Sequence, residues 1–406
     1  MKRKGNYFRI LSFFIVVILA FNLLGVSSHA SIRPKKTTLN VALYGYVPDI
    51  QRFEKAVLEK WSQSHPNVQL NFVNWDSYDS DPPKNLDVFV FDAIYMSYFI
   101  QQNYLLSIPS SQIRNKRDIL KFALDGTTYH NKIYAIPQIL CTNLLYTRKS
   151  DKSLKNVKNI PQLYNIIGQR QTADIIPPYK EGLLIDMSGG TTKACMYLEA
   201  LIDLNHKYTD YDVLPDLNKI NSNAVTSLKM LQAMAGNEQA NFWPDNDDAY
   251  DAYIRAKWFE NGNGRAFIGY SEAMSAMPNY VNQINFKPVS LSSSRDIPLF
   301  YGDVVGVNSH LKNNAKKKKL ALDLANIIAS SDTMIQASKP SDKSQSPQYL
   351  LPARYSVYQS LGAEYPVYQK LLKIASNPHN RLFKTGPDVR EWLDSAKQVI
   401  PKYLEQ

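Results

Sequence analysis

The run Leu86-Asp87-Val88-Phe89-Val90-Phe91 is almost continuously apolar and closes on Asp92. A strand with one wet face alternates greasy and polar residues. A strand greasy on both faces belongs to a sheet covered on both sides, typically parallel strands joined by helices. The residues before it agree. Leu39, Val41 and Leu43 alternate as a strand does and end at Tyr44-Gly45-Tyr46. Pro48-Asp49 opens a helix whose Ile50, Phe53, Val57 and Trp61 recur at helical spacing until His65-Pro66-Asn67. Val68, Leu70 and Phe72 alternate again and lead to Trp75. The N-terminal third therefore reads as α/β.

That pattern has a functional consequence. In an open parallel α/β sheet, ligands collect outside the carboxyl ends of the strands. Tyr44 and Tyr46, Trp75 with Tyr78, and Asp92 each follow a strand end, so all are expected on one rim. Aromatic faces and a carboxylate on a shared rim suit a flat, cationic ligand. Plainer roles exist for each: tyrosines after strands cap cores, and Asp92 is suited to cap a helix beginning at Ala93.

From about Tyr146 to Pro298 a second α/β unit is expected. Gly182–Met187 reads as a strand, Ser188-Gly189-Gly190 as a turn, and the segment around Cys195 as a helix. Arg265–Tyr270 reads as another strand, with Ser271 as N-cap of the next helix. Asp296-Ile297-Pro298 to Gly306-Val307 reads as a return to the first unit, and Ser338–Gln348 as a surface loop or hinge. The expected division is a leader at 1–30, a first lobe of 31–145 plus about 299–340, and a second of 146–298 plus about 341–406. Two such units, with the chain crossing between them more than once, imply a cleft, which is a favoured ligand site.

The expected leader has the order of a secretory signal. Lys2, Arg3, Lys4 and Arg9 precede an apolar run from Ile10 to Val26, and Ser28-His29-Ala30 supplies small residues for cleavage near Ala30. A periplasmic or secreted destination follows, with no stable membrane insertion, because no later segment holds the ~20 apolar residues a span needs. The formal charge of the 406-residue chain is +11; the four leader cations leave +7. The dense basic run Lys316–Lys319 leads into Leu320-Ala321-Leu322-Asp323-Leu324-Ala325 and reads as the solvated face of an amphipathic helix. No nucleic-acid motif accompanies it, so nucleic acid is not an expected partner.

The histidines that remain, His65, His130, His206, His310 and His379, show no metal-ligand spacing, and no phosphate or dinucleotide loop is present. Neither metal nor cofactor is expected. The two cysteines, Cys141 and Cys195, would make one disulfide in an oxidising compartment. Their settings, a strand-like run and a packed helix, argue instead for two free thiols. Gly269-Tyr270-Ser271-Glu272-Ala273 nearly matches the nucleophile elbow of serine hydrolases, which would require His310 or His379 as base.

Ile133-Tyr134-Ala135-Ile136-Pro137 and Leu144-Leu145-Tyr146, with Leu351-Pro352-Ala353-Arg354-Tyr355, resemble the lobe-crossing strand and C-terminal segment of maltose-type extracellular solute-binding proteins. That resemblance implies an α/β, two-lobed, periplasmic-binding-protein-like (type II) fold with a central inter-lobe cleft. Within that superfamily, Pro137-Gln138-Ile139-Leu140-Cys141-Thr142-Asn143, Ile268-Gly269-Tyr270-Ser271-Glu272 and Tyr301-Gly302-Asp303 together resemble thiaminase I. The resemblance implies a nucleophile at Cys141, its base at Glu272, cleft carboxylates at Asp92 and Asp303, and ring-embracing aromatics at Tyr44, Tyr46 and Tyr270. Trp75 and Tyr253 join the same substrate-binding set.

The implied partners are thiamine and a nucleophilic co-substrate of pyridine, amine or thiol type, handled by a cofactor-free monomer. The rival reading is a non-catalytic receptor that delivers thiamine or another small solute to a transporter. Fold does not decide between them. A thiol with a carboxylate at hand does, because a receptor has no use for that pair.

Overall fold

The computed structural model describes residues 37–170, 176–177, 180–243, 253–293, 297–342 and 345–405. The expected leader lies outside the described residues, and no described helix is long and apolar enough to cross a membrane.

The N-terminal strands are β1 (Thr37–Ala42), β2 (Val68–Phe72) and β3 (Val88–Asp92). Every residue of β3 is buried, as its unbroken apolar run demands. β1 lies parallel to it, with Val41 opposite Val88. The helix Ile50–Ser64 between β1 and β2 starts where Asp49 accepts a hydrogen bond from the Arg52 N–H, and it buries Phe53, Val57 and Trp61. His65 ends it by donating its N–H back to the Trp61 carbonyl.

A hairpin of β4 (Thr128–Tyr129) and β5 (Lys132–Ile133) leads into β6 (Ala135–Cys141). After only Thr142 and Asn143 the chain enters β7 (Leu144–Arg148), which belongs to a different sheet. That smaller sheet also holds β8 (Leu183–Ile185), β9 (Ala266–Gly269) and β10 (Ile284–Pro288), in the order β10-β7-β9-β8. β8 and β9 are the expected strands of the second unit, each shorter than its apolar run. The chain then returns through β11 (Leu299–Val307), and β12 (Leu351–Pro352) and β13 (Arg381–Leu382) follow.

The larger sheet runs β12-β6-β11-β3-β1-β2, with β13 beside β11. It is mixed, where a parallel sheet was expected: β11 is antiparallel to both β3 and β6. The reason is the return crossing, which feeds β11 in from the opposite end. β1, β3 and β6 consequently run in one direction and end on one rim. β11 delivers its first residues to that rim, where the others deliver their last.

The two crossings are tied together, since the Thr142 hydroxyl donates to the Leu299 carbonyl at 2.7 Å. Of the stretch after 341, assigned from sequence to the second unit, β12 and β13 pair within the larger sheet. The C-terminal helix Val389–Glu405 packs on the helix Gly190–Asn205. Lys316–Lys319 lie on the helix Ala315–Ile328, whose other face buries Ala321, Leu324, Ala325 and Ile328; Lys317 pairs with Asp87 at 2.9 Å.

Candidate active site

Strand register brings the two ends of the chemistry together. β7 and β9 are antiparallel with Leu144 opposite Gly269. Residues just before β7 therefore meet residues just after β9, although more than a hundred positions separate them in the chain. The phenol of buried Tyr146 donates to the Tyr270 carbonyl at 2.8 Å, and the Ser275 hydroxyl to the Glu272 carbonyl at 2.7 Å, which fixes the turn carrying Glu272. Cys141, the last residue of β6, then has its Sγ 4.0 Å from Glu272 Oε1. That is a loose thiol–carboxylate contact, of the kind that tightens when substrate fills a site.

Ser271 does not cap the following turn. Tyr270 holds that position in extended conformation, and Ser271 is the first residue of a short 3₁₀ segment, Ser271–Ala276. It is wholly buried, with its hydroxyl 3.4 Å from Glu272 Oε2. His310 bonds Asp87 at 3.1 Å, before the start of β3 and so at the far end of that strand from Asp92, while His379 is exposed. The serine-hydrolase reading therefore has neither an accessible nucleophile nor the histidine it requires beside it.

The larger sheet supplies the acids. On β11, Tyr301 stands opposite Cys141 on one side, and Asp303 stands opposite Asp92 on the other. Gly302 between them lets β13 close in, since a Cβ there would lie 2.5 Å from Leu382 Cδ1. Asp92 does what the plain reading asked and more: Oδ1 accepts from the Ile94 N–H at 2.9 Å, and Oδ2 accepts from the Tyr78 phenol at 2.5 Å. Asp303 differs. Its Oδ2 is buried and, among the described residues, has no hydrogen-bond partner. A buried acceptor left in that state costs free energy, and a ligand N–H would relieve it.

Burial governs the ionisation of all four groups. It pushes Glu272 up to about 7, against the opposing pull of its own backbone N–H and the Ser271 hydroxyl. It pushes Asp92 up to about 6, partly offset by Tyr78 and the Ile94 N–H. Asp303 is raised well above the usual carboxylate range by burial, then by the charges of Asp92 and Glu272. Cys141 is raised well above an ordinary thiol by burial, then by Glu272, Asp303 and Asp92. The first-turn position of Glu272, which favours the charged form, is outweighed. The resting site thus holds protons, and Glu272 sits at the pKa best suited to take one from the thiol near neutral pH. A cation bound among these acids would favour their ionised forms.

Tyrosines line the same rim. Tyr44 and Tyr46 meet edge-to-face at 5.4 Å between ring centroids, Tyr46 and Tyr78 at 6.3 Å, and Tyr270 and Tyr301 at 6.2 Å. The Tyr44 phenol lies in the field of Asp303, Asp92, Cys141 and Tyr270, which raises its pKa further beyond the effect of burial. Tyr46 is 54% exposed and Tyr270 37%, so both present open ring surface, while the Tyr46 phenol is tethered to Asp76 Oδ2 at 2.5 Å.

Trp75 is placed otherwise. Its ring packs edge-on against Phe89 at 5.2 Å and near Phe99 at 6.2 Å, and its N–H donates to the Asp81 carbonyl at 3.2 Å. Those contacts are those of a support under the rim. Tyr253 stands half-buried at the start of the helix Ile254–Glu260, directly after undescribed residues 244–252. Sequence reasoning gave no role to Tyr301, quoted only within the Tyr301-Gly302-Asp303 motif, nor did it find the bond of Tyr78 to Asp92. It also passed over buried Glu199, which accepts from Asn143 Nδ2 at 3.4 Å just beyond Cys141. Both cysteines are free thiols, and among the described residues no three His, Cys, Asp or Glu side chains are grouped to hold a metal.

Residues 142–292 match the family model described as the Thiaminase-1 domain. Over 404 residues the chain is 48% identical to Thiaminase-1 of Paenibacillus thiaminolyticus, covering 99% of this chain and 97% of that one. The fold superposes on Clostridium botulinum thiaminase I in complex with thiamin with a TM-score of 0.88 at 56% identity, covering 91% of this chain and 100% of that chain. It also superposes on maltose-bound T. maritima MalE3 with a TM-score of 0.62 at 15% identity, covering 91% and 99%. That last likeness is one of fold: the α/β, two-lobed, periplasmic-binding-protein-like architecture.

Proposed function

This chain belongs to the thiaminase I family and degrades thiamine, and we propose that Cys141 is the nucleophile, Glu272 its base, and Asp92 and Asp303 the carboxylates that hold the pyrimidine. The family relation sets aside the receptor reading, which the shared fold alone had left open. The observation that carries the assignment is the Cys141 Sγ at 4.0 Å from a carboxylate with a pKa of about 7.

The chemistry follows from the groups present. Thiamine's methylene bridge does not release its thiazolium until electrons are pushed into the pyrimidine. Glu272 takes the thiol proton, and the thiolate adds to a pyrimidine ring carbon, forming a C–S bond. The electron pair gained by the ring drives out the thiazole, which leaves as a neutral base carrying the bonding pair. The incoming nucleophile then adds at the methylene carbon; an amine or thiol surrenders its proton, while a pyridine remains attached as the pyridinium. The ring pair expels Cys141, which recovers its proton from Glu272. One difficult displacement becomes two easier ones.

The unpartnered Asp303 Oδ2 supports a role for that carboxylate in receiving an amino N–H. Asp92, already bonded to Tyr78, is an acceptor held in place before substrate arrives. Tyr44, Tyr46 and Tyr270 supply faces for a flat ring and for the cationic charge.

Incubating the protein with thiamine and a pyridine or an amine, then weighing the products, tests the reading. The account expects the exchanged base attached to the pyrimidine methylene. Cys141→Ser is expected to bind thiamine without turning it over; full turnover by that variant defeats the assignment. We place the acceptor among pyridines, amines and thiols, and a competition among the three in the same assay ranks them. We further propose export with cleavage near Ala30, read out by N-terminal sequencing of protein recovered outside the cytoplasm, and a monomer in solution, read out by light scattering.

A further inference from the structure

The loop between β2 and β3 carries two of the rim tyrosine contacts, and it is held by a residue from the other end of the chain. Arg390, in the first turn of the C-terminal helix Val389–Glu405, donates from Nη2 to the Ser77 carbonyl at 2.9 Å. Its Nε faces Asp81 Oδ1 at 3.4 Å. Its guanidinium lies over the rings of Tyr95 and Tyr98, at 4.8 and 5.1 Å from their centroids. Asp81 in turn accepts from the phenols of Tyr104 at 2.9 Å and Tyr98 at 3.1 Å, and its carbonyl accepts from Trp75.

Ser77 immediately precedes Tyr78, whose phenol makes the 2.5 Å bond to Asp92. Asp76, one residue before Ser77, tethers Tyr46 and accepts from the Tyr78 N–H at 2.8 Å. Arg390 thus grips the loop at the residue between the two tethers. The helix that carries it is fixed elsewhere, packing on Gly190–Asn205, with the Trp392 N–H donating to the Pro215 carbonyl at 2.8 Å.

We infer that Arg390 is a positioning residue for the reaction: by holding the Ser77 carbonyl it aims the Tyr78 phenol at Asp92 and so pre-orients the carboxylate that receives substrate. Arginine suits the task because its planar fork can stack on two rings while donating sideways. The inference rests on Asp92 being a substrate-holding group, as proposed above.

The expected signature is separable from mere loss of stability. An interaction made equally in the ground and transition states alters KM with kcat kept. Arg390→Gln is expected to raise KM for thiamine roughly fivefold to tenfold with kcat within about twofold, the scale of one charge-assisted bond loosened. The acid limb of kcat/KM should also move. The Tyr78 phenol stabilises ionised Asp92, so a misaimed phenol raises the Asp92 pKa and shifts the limb to higher pH. The other groups facing Asp92 are Asp76 on the loop, Tyr44 after β1, Cys141 on β6, Asp303 and Tyr301 on β11, Tyr95 after β3, and Cys195 on the helix Gly190–Asn205. Of these groups Tyr95 alone touches Arg390, through the ring contact described above, and Tyr78→Phe leaves that contact in place.

The experiment is a cycle of Arg390→Gln, Tyr78→Phe and the double variant in the full chain, reading KM, kcat and the pH profile, with a thermal melt of each. Arg390→Lys serves as the conservative variant, expected to fall between wild type and Gln, and stands in if the Gln variant does not fold. Tyr78→Phe should reproduce both changes, and the double variant should add little to it. A Tyr78→Phe effect without an Arg390 effect, or strictly additive effects, overturns the positioning role. No change in Tyr78→Phe itself overturns the reading of Asp92 beneath it.

Discussion

Cys141 and Cys195 are the same chemical group in two settings. Both are free, and burial raises the pKa of both thiols. Cys141 ends a strand on a rim, half-buried, with Glu272 Oε1 at 4.0 Å and Asp303 and Asp92 near enough to act on its charge. Cys195 lies inside the helix Gly190–Asn205 and is 8% exposed. A low thiol pKa is therefore not what would make one of them reactive. The difference lies in the Glu272 carboxylate beside the Cys141 sulfur, its pKa pushed up to about 7, and in the greater exposure of Cys141. A thiol kept protonated until a cationic substrate arrives is also protected from idle oxidation, because the thiolate is the form oxidised.

The sharpest break of this comparison is a pair of substitutions. Cys141→Ser is expected to lose roughly 10⁴-fold or more in kcat, while Cys195→Ser keeps kcat within about threefold. A comparable loss in both would erase the distinction. Next comes Glu272→Gln, expected to lower kcat about 10²- to 10³-fold. Wild-type activity should fall as the pH drops below about 7, where Glu272 takes up a proton and ceases to be a base. The Gln variant should lack that limb, and a pH–rate profile of each checks it.

A smaller effect belongs to the buried acids of the site. The folded-state pKa values of Asp92, Asp303 and Glu272 are raised above those of ordinary carboxyls. The folded protein therefore holds protons that the unfolded chain releases first. Their contribution to stability is complete below about pH 4 and is lost as the pH climbs through the raised values. Asp303→Asn should consequently melt higher than wild type at pH 8, by about 1–3 kcal/mol of stability, while KM for thiamine rises. Melting curves at pH 5 and pH 8 test it, and a wild-type protein with no such pH slope contradicts the ionisation described. The smallest effect is Cys195→Ser in stability, about 1 kcal/mol for a hydroxyl put in place of the buried thiol.

The legibility of the site in sequence was uneven, for physical reasons. β3 was readable because burial on both faces forces an unbroken apolar run, and Asp92 was readable as the residue that ends it. The helix Ile50–Ser64 was readable from its spacing and its cap. Cys141 and Glu272 came from short motifs; what joins them is the Leu144–Gly269 register, a pairing across the chain that no local pattern states. Trp75 followed a strand end like its neighbours, yet its ring turned inward because Phe89 and Phe99 offered it an aromatic bed. The reversed direction of β11 was invisible for the same reason as the register. A buried strand reads alike in either direction.

The central claim is that the Cys141 sulfur forms a bond to the pyrimidine during turnover. Intact-protein and peptide mass spectrometry of enzyme quenched during reaction with thiamine, with the acceptor base withheld, tests it most directly. The account predicts an added mass equal to the pyrimidine fragment, mapped to the peptide containing residue 141 and missing from Cys141→Ser. The same mass on residue 195, or steady turnover with no modified enzyme at any quench time and an active Cys141→Ser variant, would contradict it.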